Sequence, residues 1–184
     1  MTPTTTLARI REASPCESGY KKLVKSLGGA KKYGEDTPIT IRQIVESNGL
    51  DDALWCLCTM PEHNARWRLL AVQYARRTQR LMTDPISAEA VDVAERHARG
   101  MAADEELASA WVTAINTSYT AADDDARTAA RAASYAAQKS ACSAARSVAR
   151  FVRGATWGAT WDVQNAEINW QTAELLRICE EETP

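Results

Sequence analysis

Residues 126–161 constrain this chain more than any other stretch. They hold 13 alanines, six basic residues and no Asp or Glu. Laid on a helix, the basic residues Arg127, Arg131, Lys139, Arg146, Arg150 and Arg153 fall on one side. Ala126, Ala130, Ala133, Ala137, Ala141, Ala144, Val148 and Phe151 fall on the other. The pattern predicts one long amphipathic helix with a small-residue packing face and a basic outer face. Alanine is the best helix former and leaves no bulk at the contact, so neighbouring helices can approach closely.

Charge alternates along the chain in blocks. Residues 1–83 carry net +5, residues 84–125 net −8, residues 126–161 net +6 and residues 162–184 net −5. The total is only −2, which excludes a polycation or a DNA-mimicking polyanion. Successive blocks of opposite sign suit antiparallel helices that neutralise one another.

Helix punctuation recurs while strand signals are nearly absent. Ser14-Pro15, Thr37-Pro38 and Asp84-Pro85 read as cap-plus-proline starts, and Pro61 opens a helix expected to reach Leu81. Gly28-Gly29, Asn48-Gly49 and Gly100 read as stops. Acids at Asp104 to Glu106 suit the first turn of a helix, and Asp123 to Asp125 mark the joint before the alanine helix. Ile39-Thr40-Ile41 alternates like a strand, but it is short and follows a proline, so it reads as a helix start. The expected fold is all-α, a single-domain bundle over residues 1–184 with about seven or eight helices. Shorter helices occupy 1–100, and the last three, in the Ala/Trp-rich 101–184, are long.

The chain start lacks a basic region and an apolar core, and no window of apolar residues is long enough to span a bilayer. The five cysteines, irregularly spaced, are expected as free thiols in a cytoplasm.

Catalytic frames are missing. Cys56-x-Cys58 lacks helical metal spacing and a second ligand pair, so both read as core cysteines. His63 and His97 sit in no metal or protease frame, and Gly28-Gly29 with Lys31-Lys32 lacks the phosphate-loop spacing. The expectation is a protein that is not an enzyme and has no metal or cofactor site. The candidate binding residues are Arg127, Arg131, Lys139, Arg146, Arg150 and Arg153, with Trp157 and Trp161. These tryptophans belong to a repeat, Gly154-Ala-Thr-Trp157 and Gly158-Ala-Thr-Trp161. On an unbroken helix they join the basic face, where a base could stack on them; a break at Gly154 turns them inward as core anchors. The basic face docks an acidic protein partner, binds nucleic acid, or is neutralised by Asp104 to Glu106 before it and Glu167 and Glu174 after it. The alanine face also allows a homodimer.

Two stretches carry a resemblance. Thr37-Pro-Ile-Thr-Ile-Arg-Gln-Ile-Val-Glu-Ser-Asn-Gly-Leu-Asp-Asp-Ala-Leu-Trp-Cys-Leu57 is one; Leu81-Met-Thr-Asp-Pro85 through Val93-Ala-Glu-Arg-His97-Ala-Arg-Gly100, followed by Asp104-Glu-Glu-Leu107, is the other. They resemble uncharacterised bacteriophage and prophage accessory proteins in which such a part precedes an Ala/Trp-rich helical tail. The resemblance implies a phage-encoded protein in the host cytoplasm that binds and inhibits a host protein machine, restriction or CRISPR defences among them. It assigns no functional residue.

Overall fold

A computed structural model describes residues 2–155 and 160–181. It is all-α: eleven α-helices, three 3-10 turns and one two-stranded ladder among the described residues. The chain sorts into two compact units, Met1–His63 with Thr172–Pro184, and Asn64–Gln171.

The first unit begins with β1 (Thr4–Thr5), which pairs antiparallel with β2 (Ile39–Thr40). Thr6 caps α1 (Leu7–Glu12), accepting from the Arg9 amide. Then come α2 (Glu17–Ser26), α3 (Ala30–Tyr33), α4 (Ile41–Asn48) and α5 (Leu50–Cys56). Thr40 ends β2 and caps α4 through a reciprocal box with Gln43. The Ile39-Thr40-Ile41 segment is therefore both things at once, a ladder end and a helix start. Thr40, not Thr37, is the cap. Leu7, Ile10, Ile39, Ile41, Ile44, Leu54 and Leu57 form the core. The Thr5 and Thr59 hydroxyls meet inside it at 2.7 Å, and Thr59 donates on to the Cys56 carbonyl. On its surface Arg9 forks onto both oxygens of Glu62, at 2.7 and 2.8 Å.

The second unit contains α6 (Asn64–Arg76), α7 (Pro85–Ala98), α8 (Asp104–Thr120), α9 (Asp124–Ala136) and α10 (Ala141–Ala155). It also takes the Trp161–Gln171 portion of α11 (Trp161–Glu180). Helix α6 packs against α7, α9 and α10, and buries Trp67, Leu70, Ala71, Val72, Tyr74 and Ala75. A helix apolar on so many sides belongs at the centre of its layer. Asp84 caps α7 with Pro85 in the first turn, Asp104 to Glu106 fill the first turn of α8, and Asp123 caps α9, all as expected.

Several expectations need correction: α2 starts at Glu17 after Cys16 rather than at Pro15, and the helix expected from Pro61 to Leu81 is a 3-10 turn, Pro61–His63, followed by α6, which ends at Arg76. The helix count of seven or eight is too low, because short segments such as α1 and α3 are helices of their own. The alanine stretch is not one helix: it breaks over residues 137–140 into α9 and α10. The Arg68 side chain of α6 explains the break. It is 2 % exposed and donates to the carbonyls of Ala136 and Lys139, each at 2.9 Å, and to that of Gln138. Those carbonyls lose helical partners at the break, and the guanidinium supplies replacements. Burial pushes the Arg68 pKa down to about 10, so it stays charged at neutral pH.

Cys16 and Cys56 are free thiols, whereas Cys58 and Cys142 are not, which corrects the expectation of five free cysteines. Irregular spacing in a sequence holds no pairing information. No helix among the described residues is long and apolar enough to cross a membrane.

Candidate anion-binding groove

The alanine face packs inward, as the sequence predicts, except at Phe151, which is half-buried and lines the groove on the other side. Ala126, Ala129, Ala130, Ala132, Ala133 and Ala136 of α9 are buried, as are Ala141, Ala144, Ala145, Val148, Ala149 and Val152 of α10. Helix α9 lies against α6, α7, α8 and α10, and α10 against α6 and α9. This face is therefore covered within the unit. Among the described residues the alanines of this face pack on the unit's own helices and are not offered to a second copy.

The opposite side of α9 and α10 carries a groove of about 530 Å³, lined by Thr128, Tyr135, Ser147, Arg150, Phe151 and Gly154. Tyr135 and Phe151 meet edge to face across it, ring centroids 5.5 Å apart. Arg131 lies on α9 between Thr128 and Tyr135, about one turn from each, and Arg146 lies about one turn before Arg150 on α10. Arg150 is exposed, while Arg131, Arg146 and Arg153 are half-buried.

Four of the five acids expected to neutralise these residues pair elsewhere, and Glu105 forms no ion pair among the described residues. Asp104 meets His97 at 2.8 Å and Glu106 meets Arg96 at 2.5 Å. Glu174 meets Arg177 at 2.5 Å. Glu167 is buried, accepting from Arg77 at 3.0 Å and from Gln171 at 3.0 Å. Arg77 in turn stacks over Trp170, 4.5 Å from the ring centre, and Tyr74 donates to the Gln171 carbonyl at 2.7 Å. These contacts account for Glu167 completely without the basic face.

Among the described residues Arg131, Arg146 and Arg150 form no ion pair. Arg127 is spoken for: it pairs with Asp124 one turn earlier on α9. Lys139 sits in the turn between the helices, exposed, within the field of Asp104. The His97 hydrogen bond, and more weakly Lys139 and Arg68, hold the Asp104 carboxyl below its ordinary range. The structure thus brings Arg131, Arg146 and Arg150 to the two helices that wall one groove and separates Arg127 and Lys139 from that arrangement.

Trp161 opens α11 rather than closing the alanine helix, and it is 75 % exposed. It is not turned inward. Trp157 lies outside the described residues. Among the described residues no three His, Cys, Asp or Glu side chains gather as a metal set. Burial pushes the Cys56 thiol up to about 12, with Asp52 adding to the shift, which leaves it un-ionised at neutral pH.

Sequence reading missed the aromatic pair at the groove. Tyr135 and Phe151 are 16 positions apart, and on one straight helix they do not meet. Only the break after Ala136 folds them together.

Comparison with known proteins finds no matching protein family, no matching curated protein and no matching solved structure.

Proposed function

We propose that this chain is a non-enzymatic, phage-encoded binding protein that docks on a host protein machine and inhibits or modulates it. The α9–α10 groove is its docking surface and an acidic segment of the partner is its occupant. One observation supports this above others: Arg150 lines the groove, Arg131 and Arg146 stand on the two helices that wall it, and among the described residues none of the three has an internal counter-charge, although acidic blocks flank them in sequence. Guanidinium forks match carboxylates two donors to two acceptors, and the Tyr135–Phe151 edge offers apolar contact beside them. The bacteriophage resemblance supports the host setting.

The test is charge reversal. Wild-type chain and the variant Arg131→Glu, Arg146→Glu, Arg150→Glu serve as parallel baits in bacterial lysate, followed by affinity measurement with the purified captured partner. The expected result is a folded variant with wild-type melting and at least ten-fold weaker binding. Equal binding by both baits sinks the reading. The exposed Trp161 favours a second reading, a nucleic-acid-binding module that uses the same arginines. Salt separates the two. Phosphate contacts give a log–log slope of about −0.9 per phosphate neutralised on duplex DNA, so a steep slope with an oligonucleotide supports the second reading.

A further inference from the structure

Helix α8 buries Leu107, Ala114 and Ser118 against its neighbours, chiefly α7 and α9. Beside that buried line runs a second one, Trp111, Ile115 and Tyr119 at four-residue spacing, flanked by Val112. Trp111 is 41 % exposed, Val112 46 % and Tyr119 71 %, and Ile115 is half-buried. Scattered apolar residues on a surface need no explanation; four on adjacent turns of one helix, two of them aromatic, form an unpartnered stripe.

The stripe is bounded at both ends by acids. Asp104, Glu105 and Glu106 form the first turn of α8, and Asp123, Asp124 and Asp125 follow its end, all six exposed. Helix dipoles account for acids at these two N-termini. They do not account for the aromatics between them. Glu105 and Asp125 form no ion pair among the described residues.

The arrangement decides among occupants by charge. Asp104, Glu106 and Asp124 are already paired with His97, Arg96 and Arg127, but a second copy laid along α8, parallel or antiparallel, still sets the remaining Glu105 and Asp125 against like charge at each end. An anionic bilayer is repelled by both ends. A helix with an apolar middle and basic ends meets attraction at both ends and covers the stripe. We propose that the α8 stripe binds such a segment of a partner protein: an amphipathic helix, apolar at its centre, with Lys or Arg at both termini. Helix α8 has 17 residues and is about 25 Å long, so an occupant of about 16 residues spans it. This surface is separate from the arginine groove and does not depend on it.

The test selects displayed random peptides of about 16 residues, roughly the span of α8, on the immobilised full chain. The expected outcome is enrichment of peptides with apolar residues at three- and four-residue spacing and basic residues at both ends. Binding of an enriched peptide falls at least ten-fold on Trp111→Ala with Tyr119→Ala, and falls again on Glu105→Lys with Asp125→Lys. Arg150→Glu leaves it unchanged, which distinguishes this surface from the arginine groove. Should the double alanine variant lose its helical circular dichroism, Val112→Lys replaces it with the same expected loss. The proposal is overturned by any of four results: no enrichment, enriched peptides without basic ends, binding that survives loss of the aromatics, or a concentration-dependent dimer that the alanine variant dissolves.

Discussion

At the scale of single residues, the surface ion pair between Arg9 and Glu62 shows how geometry converts to pH dependence. Two parallel donor–acceptor contacts from the Arg9 guanidinium hold the Glu62 carboxyl well below its usual range, at about 2. A carboxyl whose folded pKa is depressed stabilises the fold above its unfolded pKa, and that contribution is lost as pH falls through the window down to the folded value. Here the window runs from the ordinary 4.5 to about 2. Both partners are more than a third exposed, so solvent keeps the effect at about 1 kcal/mol or less. Thermal melts of wild type and Glu62→Gln between pH 2 and 6 check this, about the span of that window. The two curves should converge at the acid end and separate above pH 4.5, with wild type the more stable.

At the scale of elements, the turn between α9 and α10 is the decisive feature of the second unit. Two helices rather than one allow the alanine faces to pack on α6, and they bring Tyr135 to Phe151. Arg68 holds the turn by satisfying three carbonyls from inside the core. Arg68→Met keeps comparable length and apolar stem but strands those acceptors, and a buried unsatisfied polar group costs about 1–3 kcal/mol. Removing a desolvated charge offsets part of that loss. The expected outcome is net destabilisation of about 1–3 kcal/mol by denaturant titration, of the order of one orphaned acceptor. A variant as stable as wild type means that the turn closes on its own hydrogen bonds and Arg68 only occupies space.

At the scale of the whole molecule, the described residues form an all-α fold with one two-stranded ladder, so far-ultraviolet circular dichroism should show strand content under about 10 %, half the usual globular share. A larger value contradicts the helix assignment throughout. The helical class, the starts of α7, α8 and α9 at Asp84, Asp104 and Asp123, and the inward alanine face were all legible in the sequence. Each depends on local rules: a capping side chain reaches three residues along the chain, and helical period places side chains on faces. The sequence also identified which residues carry the basic charge. It did not disclose which of them stay uncompensated. Glu167 and Asp104 are as near in sequence as neutralisation requires, yet Arg77 and His97 take them. Nor did periodicity anticipate the break over 137–140, because the group that stabilises it lies on α6, nearly 70 residues earlier. Local propensity and capping are short-ranged and readable along the chain. Ion pairing and carbonyl satisfaction depend on distances across the fold, and only the tertiary structure decided them.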